Sequence, residues 1–269
     1  MFTSGANFGC STESTAYRLI DRTGCKHMRN IKLTIEYDGT DYLGLQLQAK
    51  GRTIQGEIEE AIFKLTGARS RLTASGRTDA GVHALSQVAN FSTESKLPCE
   101  TIRSGLNSYL PRDIRVLAAG DVPEDFHARK DARGKVYEYT VLNREVSSPL
   151  RKRYAYFYNY LLDMNAMKKA AAQLIGEHDF SGFAASNLDV KSTVRRITRL
   201  DIDLINAEIV LSVAANGFLR HMVRYIAGTL LEVGRGKLSP DDISEMLRGK
   251  RRAGPVAPPH GLCLKSVHY

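Results

Sequence analysis

The sequence predicts an α+β protein: two lobes of mostly antiparallel sheet, with helices packed on one face. Three observations predict this class. Segments that alternate apolar and polar residues recur along the chain, as strands covered on one face do. Between them lie stretches with apolar residues three or four positions apart, the helical period. Several connections are short and hairpin-like, which favours antiparallel neighbours, and no repeat of about 20–50 residues indicates a solenoid or propeller.

The first strand is read from Ile31, Leu33, Ile35 and Tyr37, which alternate before the turn residues Asp38-Gly39-Thr40-Asp41. Ile54, Ile58, Ile62 and Leu65 then recur at helical spacing, with Thr53 as N-cap and Gly67 as the stop. A short strand near Arg71 to Ala74 leads into a glycine-bearing loop at Gly76, and Gln87 to Ser92 reads as the strand leaving it. Pro98 precedes a helix over Glu100–Leu110, and Ile114 to Leu117 forms a further strand. Lys135 to Asn143, with Tyr137, Tyr139 and Val141 on one face, opens a second lobe. A helix over Met164–Ile175, strands at Val194–Ile205 and Glu208–Ala215, helices over Leu219–Val233 and Pro240–Leu247, and a last strand from Leu262 to Tyr269 complete it. Tyr154, Tyr156, Tyr158 and Tyr160 alternate strictly, which suits a half-buried strand face or an aromatic platform; the strand face is the preferred reading. The domain division is therefore an N-terminal extension over 1–29, a first lobe over 30–134 and a second over 135–269.

The extension is rich in Ser, Thr and Gly and shows no sustained apolar period, so disorder is expected there. It lacks the apolar segment of a secretory signal; an organellar presequence, or a true start at Met28, are the alternatives. Hydrophobic residues make up 43% and charged residues 25% of the 269, ordinary globular values. No apolar run reaches the roughly 20 residues that span a bilayer, so no membrane partner is expected. Cys10, Cys25, Cys99 and Cys263 form no Cys-x-x-Cys pair, and the cytoplasm fits such isolated thiols. The formal charge is +9, with a pI near 9.4. Arg18, Arg22, Lys26 and Arg29 against Glu13 and Asp21 account for +2 of it, which leaves +7 on residues 30–269. A polyanionic partner such as nucleic acid follows from that excess, although solubility alone can also explain it.

Chemistry concentrates in the loop Gly76-Arg77-Thr78-Asp79-Ala80-Gly81-Val82-His83. Two glycines, an arginine and an aspartate between two strands can present a carboxylate at a cleft, or simply form an Asp-stabilised turn. On the later helix, Arg224 stands beside the stripe Leu219, Met222, Val223, Ile226 and Leu230. It can supply the cationic partner of Asp79, or snorkel to water along its stem. Tyr137 offers a ring for a base to stack on, or a core contact. Basic clusters at Lys191–Arg196, Lys168-Lys169, Arg151–Arg153 and Lys250–Arg252 can meet phosphates or water. The histidines show no metal-ligand spacing, and no phosphate-binding or dinucleotide-binding glycine loop occurs.

The string GRTDAGVHA at 76–84 resembles the signature of TruA-type tRNA pseudouridine synthases. The resemblance runs over nearly all of residues 30–269. It takes in IEYDGTDYLG at 35–44, EDFHAR at 124–129, KVYEY at 135–139, GEHDFSGF at 176–183, NGFLRHMVRYIAG at 216–228 and AGPVAPPHGLCL at 253–264. It implies a two-lobed fold with a central RNA-binding cleft and a cytoplasmic homodimer gripping tRNA. The implied reaction isomerises uridines 38, 39 and 40 of the anticodon stem-loop without cofactor or metal. It also implies Asp79 as the catalytic carboxylate, Arg224 as its partner, Tyr137 as the stacking ring and Arg77 as the residue that extrudes the nucleotide. His83, Arg129 and Leu262 are implied substrate contacts, with Leu264 an alternative to Leu262. The chain departs from the pattern at Leu45, where the family usually carries Trp; local repacking with catalysis retained is expected. A non-catalytic RNA-binding protein, a ribonuclease and a related synthase acting on other RNA sites are the competing functions.

Overall fold

A computed structural model of the chain describes residues 28–186 and 190–269. The predicted extension lies outside these residues except for Met28 and Arg29. Arg29 already belongs to the fold: it opens β1 (Arg29–Tyr37), and its Nε donates to Asp121 Oδ1 at 2.8 Å. The first half of the chain continues with α1 (Ile54–Thr66), β2 (Thr73–Ala74), β3 (His83–Thr93), α2 (Cys99–Tyr109) and β4 (Ile114–Val122). The second half supplies β5 (Gly134–Leu142), β6 (Tyr156–Phe157), α3 (Met164–Leu174), β7 (Gly176–Asp179), β8 (Val194–Ile205), β9 (Glu208–Ala215), α4 (Met222–Gly234), α5 (Asp242–Leu247) and β10 (Leu262–His268).

The strands form one mostly antiparallel α+β sheet with the order β4-β1-β3-β10-β5-β9-β8-β7, while β2 pairs with β3 and β6 with β5. The C-terminal strand lies inside it. β10 runs antiparallel to β5 and parallel to β3, the latter through Cys263↔His83 and Leu264↔Ala84. One row of directly opposed residues crosses the sheet: Leu200, Val213, Tyr137, Leu264, Ala84, Tyr37 and Ile114. All are buried. Opposed residues share a face of the sheet, so the alternation that made these segments strands also builds one continuous core across both halves.

Local signals explain most boundaries. Thr53 Oγ1 accepts from Gly56 N to start α1, and Gly67 ends it in the left-handed conformation at φ 73°. Asn206 and Ala207, both at positive φ, make the two-residue turn that β8 and β9 need for their right-handed twist. Two boundaries differ from expectation. α4 begins at Met222 rather than Leu219, because His221 holds φ 65°, outside the right-handed helix. The alternating tyrosines are not a strand face: only Tyr156 and Phe157 pair with β5. Tyr156, Tyr158 and Tyr160 instead form a ladder with centroids 5.5 and 5.1 Å apart. Arg235 covers Tyr160 at 3.8 Å, and Tyr158 donates to Glu232, so their period reflects packing on the end of α4. Among the described residues, no helix is long and apolar enough to cross a membrane.

Candidate active site

The loop between β2 and β3 is anchored at Ser75, Gly76, Thr78, Asp79 and Val82. Ser75 N donates to Val88 O at 2.7 Å, and buried Ser75 Oγ donates to Gln87 Oε1 at 2.6 Å. Gln87 Nε2 reaches Gly76 O at 3.1 Å, and Lys135 Nζ donates to Ser75 O at 2.7 Å. A Cβ on Gly76 would lie 2.6 Å from that ammonium, so glycine makes room for it. Thr78 O accepts from Leu45 N at 3.1 Å, and Thr78 Oγ1 shares a hydrogen bond of 2.8 Å with Tyr37 Oη. Gly44, at φ 100°, lets the two segments approach; a Cβ there would sit 2.7 Å from Thr78 O. Asp79 begins a turn closed by Val82 N to Asp79 O, with Gly81 at φ 77° in its third position.

Asp79 uses its carboxylate across the fold rather than to brace that turn. Arg224 Nη1 donates to Asp79 Oδ2 at 3.2 Å, 145 positions away, and Arg224 Nε is fixed by Ala257 O at 2.8 Å. The arginine therefore does not snorkel: its side chain is 14% exposed, against 26% for the aspartate. His221 Nε2 stands 3.5 Å from the same Oδ2. Burial pulls the His221 imidazole below its ordinary range; Asp79 opposes that, while Arg224 and Arg220 add to it. Tyr137 is 7% exposed and meets Phe218 edge-on at 5.1 Å. Burial, then the proximity of Tyr37 and Asp79, raise its phenol well above the usual range, so the hydroxyl stays neutral.

Asp79, His221, Tyr137 and Phe218 open onto a cleft of about 670 Å³. Arg77, Arg129, Lys135, Arg195 and Arg220 line it with Asp79 as the acid among them, and Tyr137, Phe218 and Leu262 supply apolar surface. The arrangement suits a polyanion whose reacting unit enters beside one carboxylate. Burial, and after it the charge of Arg129, pull the Lys135 ammonium down to about 8. The unfolded chain then binds that proton more tightly than the folded one, and the resulting penalty fades as pH rises from about 8 toward the ordinary lysine value near 10.4. Relative to Lys135→Met, the native protein is therefore expected to gain thermal stability between pH 7 and about 10. A stability difference that stays constant over that range in melting curves would contradict this.

The structure brings together Asp79, Arg224, Tyr137, Arg77, Arg129 and Leu262, the first two as a direct pair and all but Arg224 in the cleft wall. His83 is not brought there. It begins β3, is 6% exposed, and its ring lies 5.1 Å from Tyr154. Its Nε2 bonds Arg153 O at 2.7 Å, and its Nδ1 faces Asp38 and Gly39 N, so it clamps the chain behind the loop. Leu264 lies fully buried in the row beside Tyr137, which leaves Leu262 at the cleft. Leu45 faces the core at 4% exposure and holds Thr78 by its backbone, a contact that does not depend on the side chain usual in the family. Of the basic clusters, Arg195 reaches the cleft, whereas Arg151 pairs with Glu208 and Arg251 with Asp242. Lys135, Phe218, Arg220 and His221 were not anticipated. Lys135 could have been found from its place two residues before Tyr137, hence on the same strand face; His221 could have been found three residues before Arg224.

Residues 33–131 and 170–269 match the profile of a family described as tRNA pseudouridine synthase. A protein named tRNA pseudouridine synthase A from Caldicellulosiruptor bescii is 50% identical over 244 residues, which cover 90% of this chain and 100% of the relative. One of the same name from Geobacter sp. (strain M21) is 49% identical over 245 residues, 90% of this chain and 99% of the relative. The tRNA pseudouridine synthase A 2 of Clostridium perfringens is 48% identical over 244 residues, again 90% of this chain, and 100% of the relative. The solved archaeal box H/ACA sRNP Nop10-Cbf5 complex aligns at 13% identity with a TM-score of 0.33, over 75% of this chain and 44% of that one.

Proposed function

The chain belongs to the tRNA pseudouridine synthase family, isomerases that act on uridines of tRNA, and from that premise we propose that it modifies positions 38, 39 and 40 of the anticodon stem-loop through Asp79. The observation that carries this reading is the Asp79–Arg224 pair, 3.2 Å long, set in a wall of cations beside Tyr137. The reaction is an isomerisation: the bond from C1′ to N1 breaks, the uracil turns, and C1′ joins C5. C5 then gives up a proton and N1 gains one, so nothing is added or removed overall.

Asp79 contributes a carboxylate beside the ribose, either as a nucleophile on sugar or base or as the base that takes the C2′ proton. A paired base must first leave its stack at a cost of a few kcal/mol. Exposed Arg77 at the cleft mouth is suited to the space it vacates. Tyr137 and Leu262 receive the base, at roughly 1–3 kcal/mol for stacking on an aromatic ring. Arg129, Arg195 and Arg220 face the backbone phosphates, which carry affinity without reading sequence. A cytoplasmic homodimer completes the proposal. Val146, Leu150 and Leu161, exposed by 68%, 86% and 96% within one stretch of chain, are apolar surface that a second copy could cover.

Pseudouridine mapping on tRNA transcripts treated with the purified protein tests this directly. Product at 38, 39 or 40 of the anticodon arm is expected. Product confined to another arm would overturn the assigned position while leaving the isomerase activity in place.

A further inference from the structure

Asp79 Oδ2 meets two basic side chains, and one of them has a charge that changes near neutral pH. Arg224 Nη1 lies at 3.2 Å and His221 Nε2 at 3.5 Å from that oxygen. His221 belongs to the cleft wall and is 23% exposed at its side chain. Its backbone holds φ 65°, a conformation that residues other than glycine adopt infrequently, Asn, Asp and His most often among them. The chain on either side locks that conformation in place: Met222 N donates to Leu219 O at 3.1 Å, and Tyr225 N donates to His221 O at 3.0 Å as α4 begins. A rigid turn thus delivers the imidazole to the carboxylate.

We propose that His221 is a positioning residue that switches the Asp79 site: as neutral imidazole it leaves Oδ2 to Arg224 and the substrate, and as imidazolium it occupies Oδ2 and silences the carboxylate. The inference rests on Asp79 being the catalytic group. The charged groups facing the imidazole are Asp79 from the loop, Arg224 from α4 and Arg220 from its own turn. Burial and the two arginines outweigh the aspartate, so the ring is neutral at pH 7 and takes up a proton from solvent only in more acid solution. The cationic ring carries protons on both nitrogens, so Nε2 then donates to Oδ2. A carboxylate held by two cations is the weaker nucleophile and the weaker base.

Rates of pseudouridine formation on a tRNA transcript between pH 5 and 8, for the unmodified protein, His221→Asn and Asp79→Ala, test the switch. Asparagine tolerates the same backbone conformation and keeps a donor but does not titrate. The native protein should lose kcat about tenfold per pH unit below a single inflection under pH 6.5, with no rise in KM, because the added charge does not repel RNA. Whatever its rate at pH 7.5, His221→Asn should lack that limb. A second reading does not depend on how this variant folds: the His221 ring protons should titrate at lower pH in Asp79→Asn than in the native protein, since the aspartate favours the cation. An identical acid limb in His221→Asn, or an unchanged His221 titration in Asp79→Asn, overturns the switch. Full activity of Asp79→Ala would instead overturn the assignment of the carboxylate on which it rests.

Discussion

Replacing Asp79 with alanine is expected to remove at least about 10³-fold of the rate of pseudouridine formation, the scale of losing a group that acts as base or nucleophile, while tRNA binding persists. Binding should survive because Asp79 is the acidic residue in a cleft lined by Arg77, Arg129, Lys135, Arg195 and Arg220. Removing it makes the wall more positive, and affinity for a polyanion follows the number of phosphates neutralised. The loop should also survive, since its anchors are Leu45 N on Thr78 O, Tyr37 on Thr78 Oγ1 and Val82 N on Asp79 O, of which none uses the carboxylate. Arg224 loses one partner but keeps Ala257 O. Asp79→Asn is the companion variant: it preserves a hydrogen-bond acceptor for Arg224 and removes the charge, so equal inactivity of the two would assign the loss to the anion. Filter binding across a salt series and product formation under single turnover separate affinity from chemistry. Substantial product from Asp79→Ala would sink the proposed role.

What was legible in the sequence follows the range of the interactions. Thr53 and Gly67 bounded α1 because capping acts within one helical turn. The β8–β9 hairpin was predicted to the residue because β9 alternates cleanly and the turn is two residues long, even though β8 carries a register shift between Ile197 and Arg199. The place of β10 in the sheet was not legible: it enters between β3 and β5, and a strand's own pattern does not say which edge it will fill. Asp79 and Arg224 were singled out by their chemistry and by resemblance, while their contact, 145 positions apart, has no local signature. His83 shows the converse. It belongs to the same string as Asp79, yet it begins a strand and bonds Arg153 O, 70 positions on, behind the cleft. Membership of a motif placed it near the chemistry in sequence; strand alternation turned its ring away. His221 has no such local signature either: its approach to Asp79 is a contact between the turn before α4 and the loop after β2, distant in sequence.

Gly228→Ala should damage both stability and catalysis, and for one reason. Gly228 is buried in α4, and a Cβ there would lie 1.8 Å from Pro255 O and 2.9 Å from its carbonyl carbon. Neither atom belongs to a flexible side chain. The segment around Pro255 crosses α4 at this glycine and is tied down on both sides: Gly254 N donates to Thr229 Oγ1 at 2.9 Å, and Ala257 N donates to Arg224 O at 3.1 Å. Alanine would favour the helix by about 1 kcal/mol, but forcing an atom into a packed crossing costs roughly 1–3 kcal/mol, and more where backbone must move. A clash this short belongs at the upper end, so a net loss near 2 kcal/mol, or a melting temperature lower by about 4–8 °C, is expected. Gly120→Ala is the control, because a Cβ there meets nothing within 4 Å. Catalysis should fall as well, since the displaced segment carries Ala257 O, the acceptor that fixes Arg224 Nε while Nη1 holds Asp79. The expected signature is a lower kcat at 25 °C, well below the melting transition, with KM for tRNA little changed. A lowered melting temperature with native kcat would mean that Arg224 finds Asp79 without the strap, and a melting temperature equal to that of Gly120→Ala would refute the close approach itself.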